Sequence, residues 1–404
     1  MMNSSFPGQT HFDSQPISRV IGIDIRKFHD FGIGTYIRHL IHGLSIADPK
    51  PGIEYRLFTD KNAHFSKDDF DPTRFQFSKI NTSRRSPFQG ALAHSNQLSI
   101  FHAPHYLAPS CSPAPLVLTV HDCIHLRPPE QPRKIPRFGG FYSNLMTQTK
   151  RIYHRQLASS HFLSSVMNAT EIITVSNATA RDLVKFTGIE PDKITKIYNC
   201  LDDIFFQTID TVIIRDFCES LHLPCQEYVL YCGNDLYHKN LAALLLAWQD
   251  LTKRFSPPCL VLAGPPRPDI IRRYAEKLGI DKHIMLLSRL SRSQMPLLYK
   301  GALCLVLPSL AEGFGLPVIE AMVCGTPVAC SDLPVLREIS GEQATFFNPY
   351  DPLDISEKLA AVIAWPKDVL QQAQSAKTFA ERYSLASFIS QHEQVYNRVL
   401  EAAR

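Results

Sequence analysis

A chain of 404 residues is too long for one average hydrophobic core and suits two domains. With 45% hydrophobic and 20% charged residues its composition is that of an ordinary globular protein, which excludes disordered and collagen-like classes. A net charge of +4 is too small to point to nucleic acid as a partner.

No apolar run reaches the roughly 18–20 residues needed to span a bilayer. The opening MMNSSFPGQTHFDSQP lacks the basic and apolar regions of a signal peptide, so a cytoplasmic location is expected. Ten cysteines are scattered without a CxxC pair or a Cys/His cluster, several inside apolar runs such as ALCLVLP, and read as reduced, buried thiols. One local bias stands out. Between Gln131 and Thr170 lie Arg133, Lys134, Arg137, Lys150, Arg151 and Arg155 with no acid, interleaved with Phe138, Phe141, Tyr142 and Tyr153. A peripheral contact with the cytoplasmic face of the inner membrane is one expectation from this stretch. A solvated helix face over core aromatics is the plainer one.

In chain order, the first predicted strand is Val20–Ile25, which carries Ile21-Gly22-Ile23-Asp24. Phe31-Gly32-Ile33-Gly34-Thr35-Tyr36 then opens a helix, and Gly32 and Gly34 allow a close backbone approach, to a ligand or simply within a tight turn. Strands are predicted at Tyr55–Phe58, Ile100–His102 and Leu116–Val120, the last running into His121-Asp122. A histidine at such a strand end can donate to a sugar hydroxyl or a phosphate, with Asp122 to orient it. Ile172–Val175 is the next strand, followed by Ser176 as a helix N-cap. Residues Asn199–Gln226 show no clear period, and the domain boundary is placed there.

The second half repeats the alternation. Tyr228–Cys232 runs into Gly233-Asn234-Asp235-Leu236-Tyr237-His238-Lys239-Asn240, which sets an ammonium beside a helix start and so suits phosphate. Strands follow at Cys259–Ala263, His283–Leu286, Ala302–Leu307 and Pro327–Cys330. Runs apolar on both faces, alternating with helices, predict an α/β fold of parallel sheets covered on both sides. The densest motif is Glu312-Gly313-Phe314-Gly315-Leu316-Pro317-Val-Ile-Glu320, read as a glycine-rich turn leading from a strand into a helix that starts at Pro317 and stops at Gly325. Its backbone amides and helix dipole suit a phosphate or sugar oxygen, and the flanking carboxylates suit vicinal diols. Ser384–Arg404 reads as an amphipathic helix.

Glu312-x7-Glu320 with GFGLPVIEAM, taken with the glycine loop, the TVHD block, Thr174-Val175-Ser176 and the Gly233–Asn240 block, resembles the family-4 retaining glycosyltransferases over about residues 20–365. That resemblance implies the GT-B fold: two Rossmann-like domains with parallel sheets facing across a cleft. The first domain is expected at 1–200, the nucleotide-sugar domain at 201–383, and a C-terminal helix at 384–404 packing back on the first. It implies His121, Lys239 and Glu312 as catalytic residues. It also implies donor contacts from Gly32, Gly34, Gly233, Asn234, His238, Leu287, Gly313, Phe314, Gly315, Leu316 and Glu320, where Glu312 meets the sugar and Glu320 the ribose. Leu287-Ser288-Arg289-Leu290 lies where the family places the base. His238 stands where the family carries arginine, and Asn234 where some members carry another; this departure weakens the expected grip on the diphosphate.

The implied reaction keeps the anomeric configuration by a front-face route in which the leaving phosphate takes the acceptor's proton. No cofactor is expected. The Asp-x-Asp match, Asp69-Phe70-Asp71, lies in a polar stretch, so no metal is expected either. The partners are a nucleotide-sugar donor and a glycan or lipid-linked acceptor. The IGIDIR, GIGTY and TVHD blocks resemble mannosyltransferases using GDP-mannose for polysaccharide assembly. A sugar-nucleotide epimerase and a catalytically silent sugar-nucleotide-binding protein remain alternatives. A dehydrogenase is disfavoured, because no GxGxxG with a trailing acid follows a strand.

Overall fold

The computed structural model describes residues 19–403 apart from 31, 61–69, 81–96, 107, 109–111, 113, 128–159, 265–266, 289 and 365. The basic stretch from Arg133 to Arg155, Asp69, Cys111 and Arg289 therefore lie outside the described residues.

Two all-parallel sheets carry the fold. The first contains β1 (Arg19–Asp24), β2 (Ile53–Asp60), β3 (Gln76–Ile80), β4 (Ile100–Ala103), β5 (Leu116–Val120), β6 (Glu171–Thr174) and β7 (Ile194–Lys196), in the order β3-β2-β1-β4-β5-β6-β7. The second contains β8 (Tyr228–Cys232), β9 (Cys259–Ala263), β10 (Ile284–Leu287), β11 (Cys304–Leu307), β12 (Val328–Ser331) and β13 (Thr345–Phe347), in the order β10-β9-β8-β11-β12-β13. Both orders reverse direction next to their first strand, which creates the crevice where open α/β sheets take ligands. The central strands β4, β5, β8 and β11 are buried along their whole length, as helices on both faces require.

Three strands, β3, β7 and β13, escape the sequence pattern. Each lies at a sheet edge, where burial is partial and no continuous apolar run is needed. The aperiodic stretch after Asn199 is also corrected. It contains a helix at Thr211–Ser220, capped by Asp210, whose Oδ1 accepts from the Val212 amide at 2.8 Å. Only Ile214 and Cys218 of that helix are buried while Val212 and Ile213 are exposed, so its apolar residues do not mark a buried face.

Five helices position the site: α1 (Ile33–Ile46), α2 (Asn177–Thr187), α3 (Leu316–Val323), α4 (Pro334–Ser340) and α5 (Leu385–Ala402). Helix α5 leaves the second domain at Tyr383, whose carbonyl accepts from the Leu201 amide, and packs on α1 of the first. Gly43 makes that contact possible, because an added Cβ would overlap Ile389. A buried polar seam fixes the docking. Tyr36 donates to His392 Nε2 (2.5 Å), His392 Nδ1 donates to the Phe388 carbonyl (2.7 Å), and Thr119 bridges Tyr36 (3.1 Å) and His102 (2.8 Å). Tyr396 meets the other nitrogen of His102 at 2.7 Å. Lys50–Glu393 and Arg398–Glu171 ion pairs close the rim. No helix among the described residues is long and apolar enough to cross a membrane.

The described cysteines are free and mostly buried, and burial pushes the thiols of Cys123, Cys304 and Cys324 up to about 12. They are neutral packing groups.

Buried histidines give the fold an acid limit. Burial depresses His121 and His392 to about 4, although the Pro104 and Phe388 carbonyls favour their charged forms. The folded value lies below the unfolded one, about 6.5. Above that value both states are neutral and stability is flat; below it the unfolded chain takes up protons that the folded chain refuses. Stability is therefore lost as pH falls from about 6.5 to 4, on the order of 3 kcal/mol for each histidine at the lower end. Melting temperatures should drop steadily between pH 7 and pH 5, and His392→Gln should flatten the slope. A flat wild-type profile would contradict this burial.

Candidate active site

The C-terminal ends of both sheets bring Lys239, Glu312, Gly313 and His121 together where the two domains meet. Glu312 and Lys239 form the centre of this site. Lys239 Nζ donates to Glu312 Oε1 at 2.7 Å, and the Ser309 hydroxyl donates to the same oxygen at 2.6 Å. The lysine is held in place by Asn240, whose side-chain amide donates to the Pro308 (2.9 Å) and Pro349 (2.7 Å) carbonyls, and by the Leu310 amide on the His238 carbonyl. Asn240 adopts φ 56°, a left-handed turn that asparagine tolerates. Burial and the adjacent Lys239 keep His238 below its ordinary value, so this imidazole is neutral near pH 7 and adds no charge to an anion site.

After Glu312 the chain turns through Gly313, Phe314 and Gly315 into α3. Among the described residues, no protein acceptor takes the amides of Gly313, Phe314, Gly315 or Leu316. The helix starts at Leu316 with Pro317 in its first turn, one residue earlier than predicted, and ends before Gly325 at φ 75°. Gly315 has φ 102° and an added Cβ would sit 2.7 Å from Leu336, so a side chain is excluded both sterically and conformationally. Phe314 is a packing residue, buried against Tyr198 and Tyr383.

Glu320 lies on α3, half-buried, with the Tyr299 hydroxyl donating to Oε2 at 2.7 Å. Burial raises its carboxyl; the Tyr299 bond and the Arg292 charge oppose that rise. Arg292 belongs to a group that sequence reasoning did not find. Its guanidinium pairs with Asp202 in the interdomain segment and with His39 Nε2 on α1, and His39 Nε2 lies 2.8 Å from Asp202 Oδ1. Burial lowers Arg292 to about 10 and, helped by Arg292 itself, lowers His39. Three scattered residues form this bridge, and no local motif marks it.

On the first-domain side the structure revises two expectations. His121 is buried, and its Nε2 donates to the Pro104 carbonyl at 2.9 Å, while its ring stands edge-on to Tyr36 at 4.9 Å. Neutral and with Nε2–H spent, it offers Nδ1 as an acceptor and cannot donate to a ligand, contrary to the donor role read from sequence. Asp122 does not fix its tautomer: its Oδ1 accepts from the Ile124 amide at 2.9 Å. Beside them, Asp24 at the end of β1 is buried between Arg26 (Nε–Oδ1 2.9 Å) and His105 (3.2 Å). Burial works against its charge, but His105 and Arg26 hold the carboxyl well below the usual carboxylate range.

The remaining glycine and loop positions serve the scaffold more visibly than the crevice. Gly34 faces its own chain, 2.6 Å from the Phe28 carbonyl to an added Cβ, whereas Gly32, the N-cap of α1 at φ 59°, faces open space. Gly233 packs on the Tyr231 hydroxyl, which donates to the Asn234 carbonyl, and the Asn234 side chain caps the Leu236 amide at 3.1 Å. Leu287 ends β10, and its carbonyl accepts from Gly264. Asp71, half of the Asp-x-Asp match, is used locally by Thr73 (2.9 and 2.7 Å). Among the described residues, no group of three or more His, Cys, Asp or Glu side chains could hold a metal ion.

Sequence and structure comparisons relate the chain to glycosyltransferases. The Glycosyl transferases group 1 family matches residues 216–379, and Glycosyltransferase Family 4 matches residues 32–204. The serotype-specific mannosyltransferase WbdA of Escherichia coli is 28% identical over 246 residues, 59% of this chain. The chain spans only 28% of WbdA's length. The O-antigen chain mannosyltransferase B of Escherichia coli is 27% identical over 322 residues, covering 77% of each chain. Among solved structures, HepE of Anabaena in complex with UDP-glucose superposes with a TM-score of 0.72 at 16% identity, covering 94% of this chain and 99% of HepE. WaaG, a glycosyltransferase involved in lipopolysaccharide biosynthesis, gives 0.70 at 14% identity over 93% and 99%. With one family matched in each half and the GT-B architecture in both, the chain belongs to the group 1, family 4 glycosyltransferases.

Proposed function

We propose that this enzyme is a retaining, metal-independent hexosyltransferase that moves mannose from GDP-mannose to a hydroxyl of a glycan or lipid-linked acceptor. The observation that carries the reading is the row of unclaimed amides from Gly313 to Leu316 between the Lys239–Glu312 pair and Glu320. An extended anion with a sugar at one end and a ribose at the other fits that order of groups. The diphosphate meets the amides, the helix dipole and the Lys239 ammonium, which stabilise charge as the leaving group departs. Glu312 then accepts from the transferred sugar, Glu320 from the ribose diol, and His121 Nδ1 from a sugar hydroxyl. In the front-face route the departing phosphate oxygen takes the acceptor's proton, so no side chain need act as base. The similarity to the mannosyltransferases WbdA and mannosyltransferase B favours mannose, while HepE is in complex with UDP-glucose and keeps the base open to test.

Thermal-shift screening against UDP-, GDP- and ADP-sugars provides that test. A donor at 100 times its Kd stabilises the fold by about 2.7 kcal/mol, a shift of several degrees. The expected result is a shift with GDP-mannose, transfer unaffected by EDTA, and a product whose anomeric signal matches the donor. Isomerised donor without acceptor would indicate an epimerase, and no shift with any nucleotide sugar would sink the reading.

A further inference from the structure

The two lobes meet at a contact that neither family motif explains. Glu338, on α4 of the second lobe, reaches the N-terminus of α2 in the first. Its Oε1 accepts from the Asn177 amide at 2.7 Å and from the Tyr198 hydroxyl at 3.0 Å, and its Oε2 accepts from the Ala178 amide at 3.1 Å. Ser176, the N-cap, takes the Thr179 amide at 3.0 Å. Together the two side chains satisfy the first three orphan amides of α2, one from within the lobe and two from across the crevice. A carboxylate at a helix N-terminus also interacts favourably with the dipole.

The same helix end grips the glycine turn. The Ser176 (3.0 Å) and Thr179 (3.2 Å) hydroxyls lie on the Gly313 carbonyl, and Gly313 itself packs so closely on His121 that an added Cβ would overlap its carbonyl oxygen. Apart from the Ser176–Thr179 cap, every one of these bonds, the Tyr198 bond included, joins residues more than 130 apart in sequence and on opposite lobes. They tie the two lobes together in the arrangement seen here.

We propose that Glu338 is a positioning residue that latches the lobes shut by capping α2, and so seats the Gly313–Leu316 turn against His121. Its kinetic consequence rests on the sugar-transfer reading above, whereas its structural consequence does not. Two variants address it. Glu338→Ala removes the latch, and Asn177→Pro removes one amide it uses while remaining compatible with the first position of a helix. Small-angle scattering without donor should give a larger radius of gyration for both, returning towards wild type with saturating GDP-mannose or UDP-glucose. Donor KM should rise about tenfold for Glu338→Ala with kcat nearly retained, as expected when binding must also close the lobes. Glu338→Gln should be intermediate, and the double variant should add less than the sum of the singles, because both break one interaction. Equal radii for wild type and variants, or a Glu338→Ala enzyme with unchanged KM, overturns the latch. A wild type that turns over no nucleotide sugar sinks the functional reading instead, and scattering alone then decides the latch.

Discussion

Gly313→Ala is expected to lower kcat/KM by about 10²-fold or more while both lobes remain folded, since misplacing reacting groups by even 1 Å costs that much. The reason is steric. An added Cβ would overlap the His121 carbonyl and stand 2.9 Å from Asp122 Cβ, so the turn and the TVHD strand end cannot approach as they do now. The clash lies between lobes, so opening relieves it and the melting temperature changes little. Gly279→Ala is the useful contrast. There φ is +69° with nothing within 4 Å of an added Cβ, so stability falls by about 1 kcal/mol through backbone strain while turnover holds. Steady-state kinetics and melting curves on the two variants check both halves of the expectation. An active Gly313→Ala enzyme would remove the closed crevice from the mechanism.

The second large effect is a division of labour between the two carboxylates. Glu312→Ala strips Lys239 and Ser309 of their shared acceptor and removes the group we assign to the transferred sugar. kcat should fall about 10²–10³-fold, the range seen when one preorganised group is taken from a transition-state site. Glu320→Ala acts differently. It frees the Tyr299 hydroxyl and removes one of the negative charges near Arg292, which keeps Asp202, on the side assigned to the ribose. Donor KM should rise about ten- to a hundredfold with a smaller change in kcat, the pattern of lost uniform binding. Wild-type kinetics in both variants would refute the site.

What could be read from the chain alone is the local part. Strands such as Leu116–Val120, Tyr228–Cys232 and Cys259–Ala263 fall at their predicted positions because a strand covered on both faces must be continuously apolar. The turn from Glu312 to Glu320 was legible for a similar reason: glycines, a first-turn proline and flanking acids follow one another in sequence. The edge strands β3, β7 and β13 and the helix after Asp210 were not, since they carry no continuous apolar run or regular period, whereas the edge strand β10 does carry an apolar run.

Tertiary structure alone decided the long-range part. The tautomer of His121 depends on the Pro104 carbonyl, which arrives from the neighbouring strand β4 through its following loop, and burial then sets its charge. The bridge of His39, Asp202 and Arg292 and the cap of Glu338 on α2 join residues 90 to more than 250 apart, so no spacing rule connects them. Sequence determines which side chains stand at the ends of the strands; the approach of the two lobes determines which of those side chains meet, because hydrogen bonds and charges act over a few ångströms of space whatever their separation along the chain.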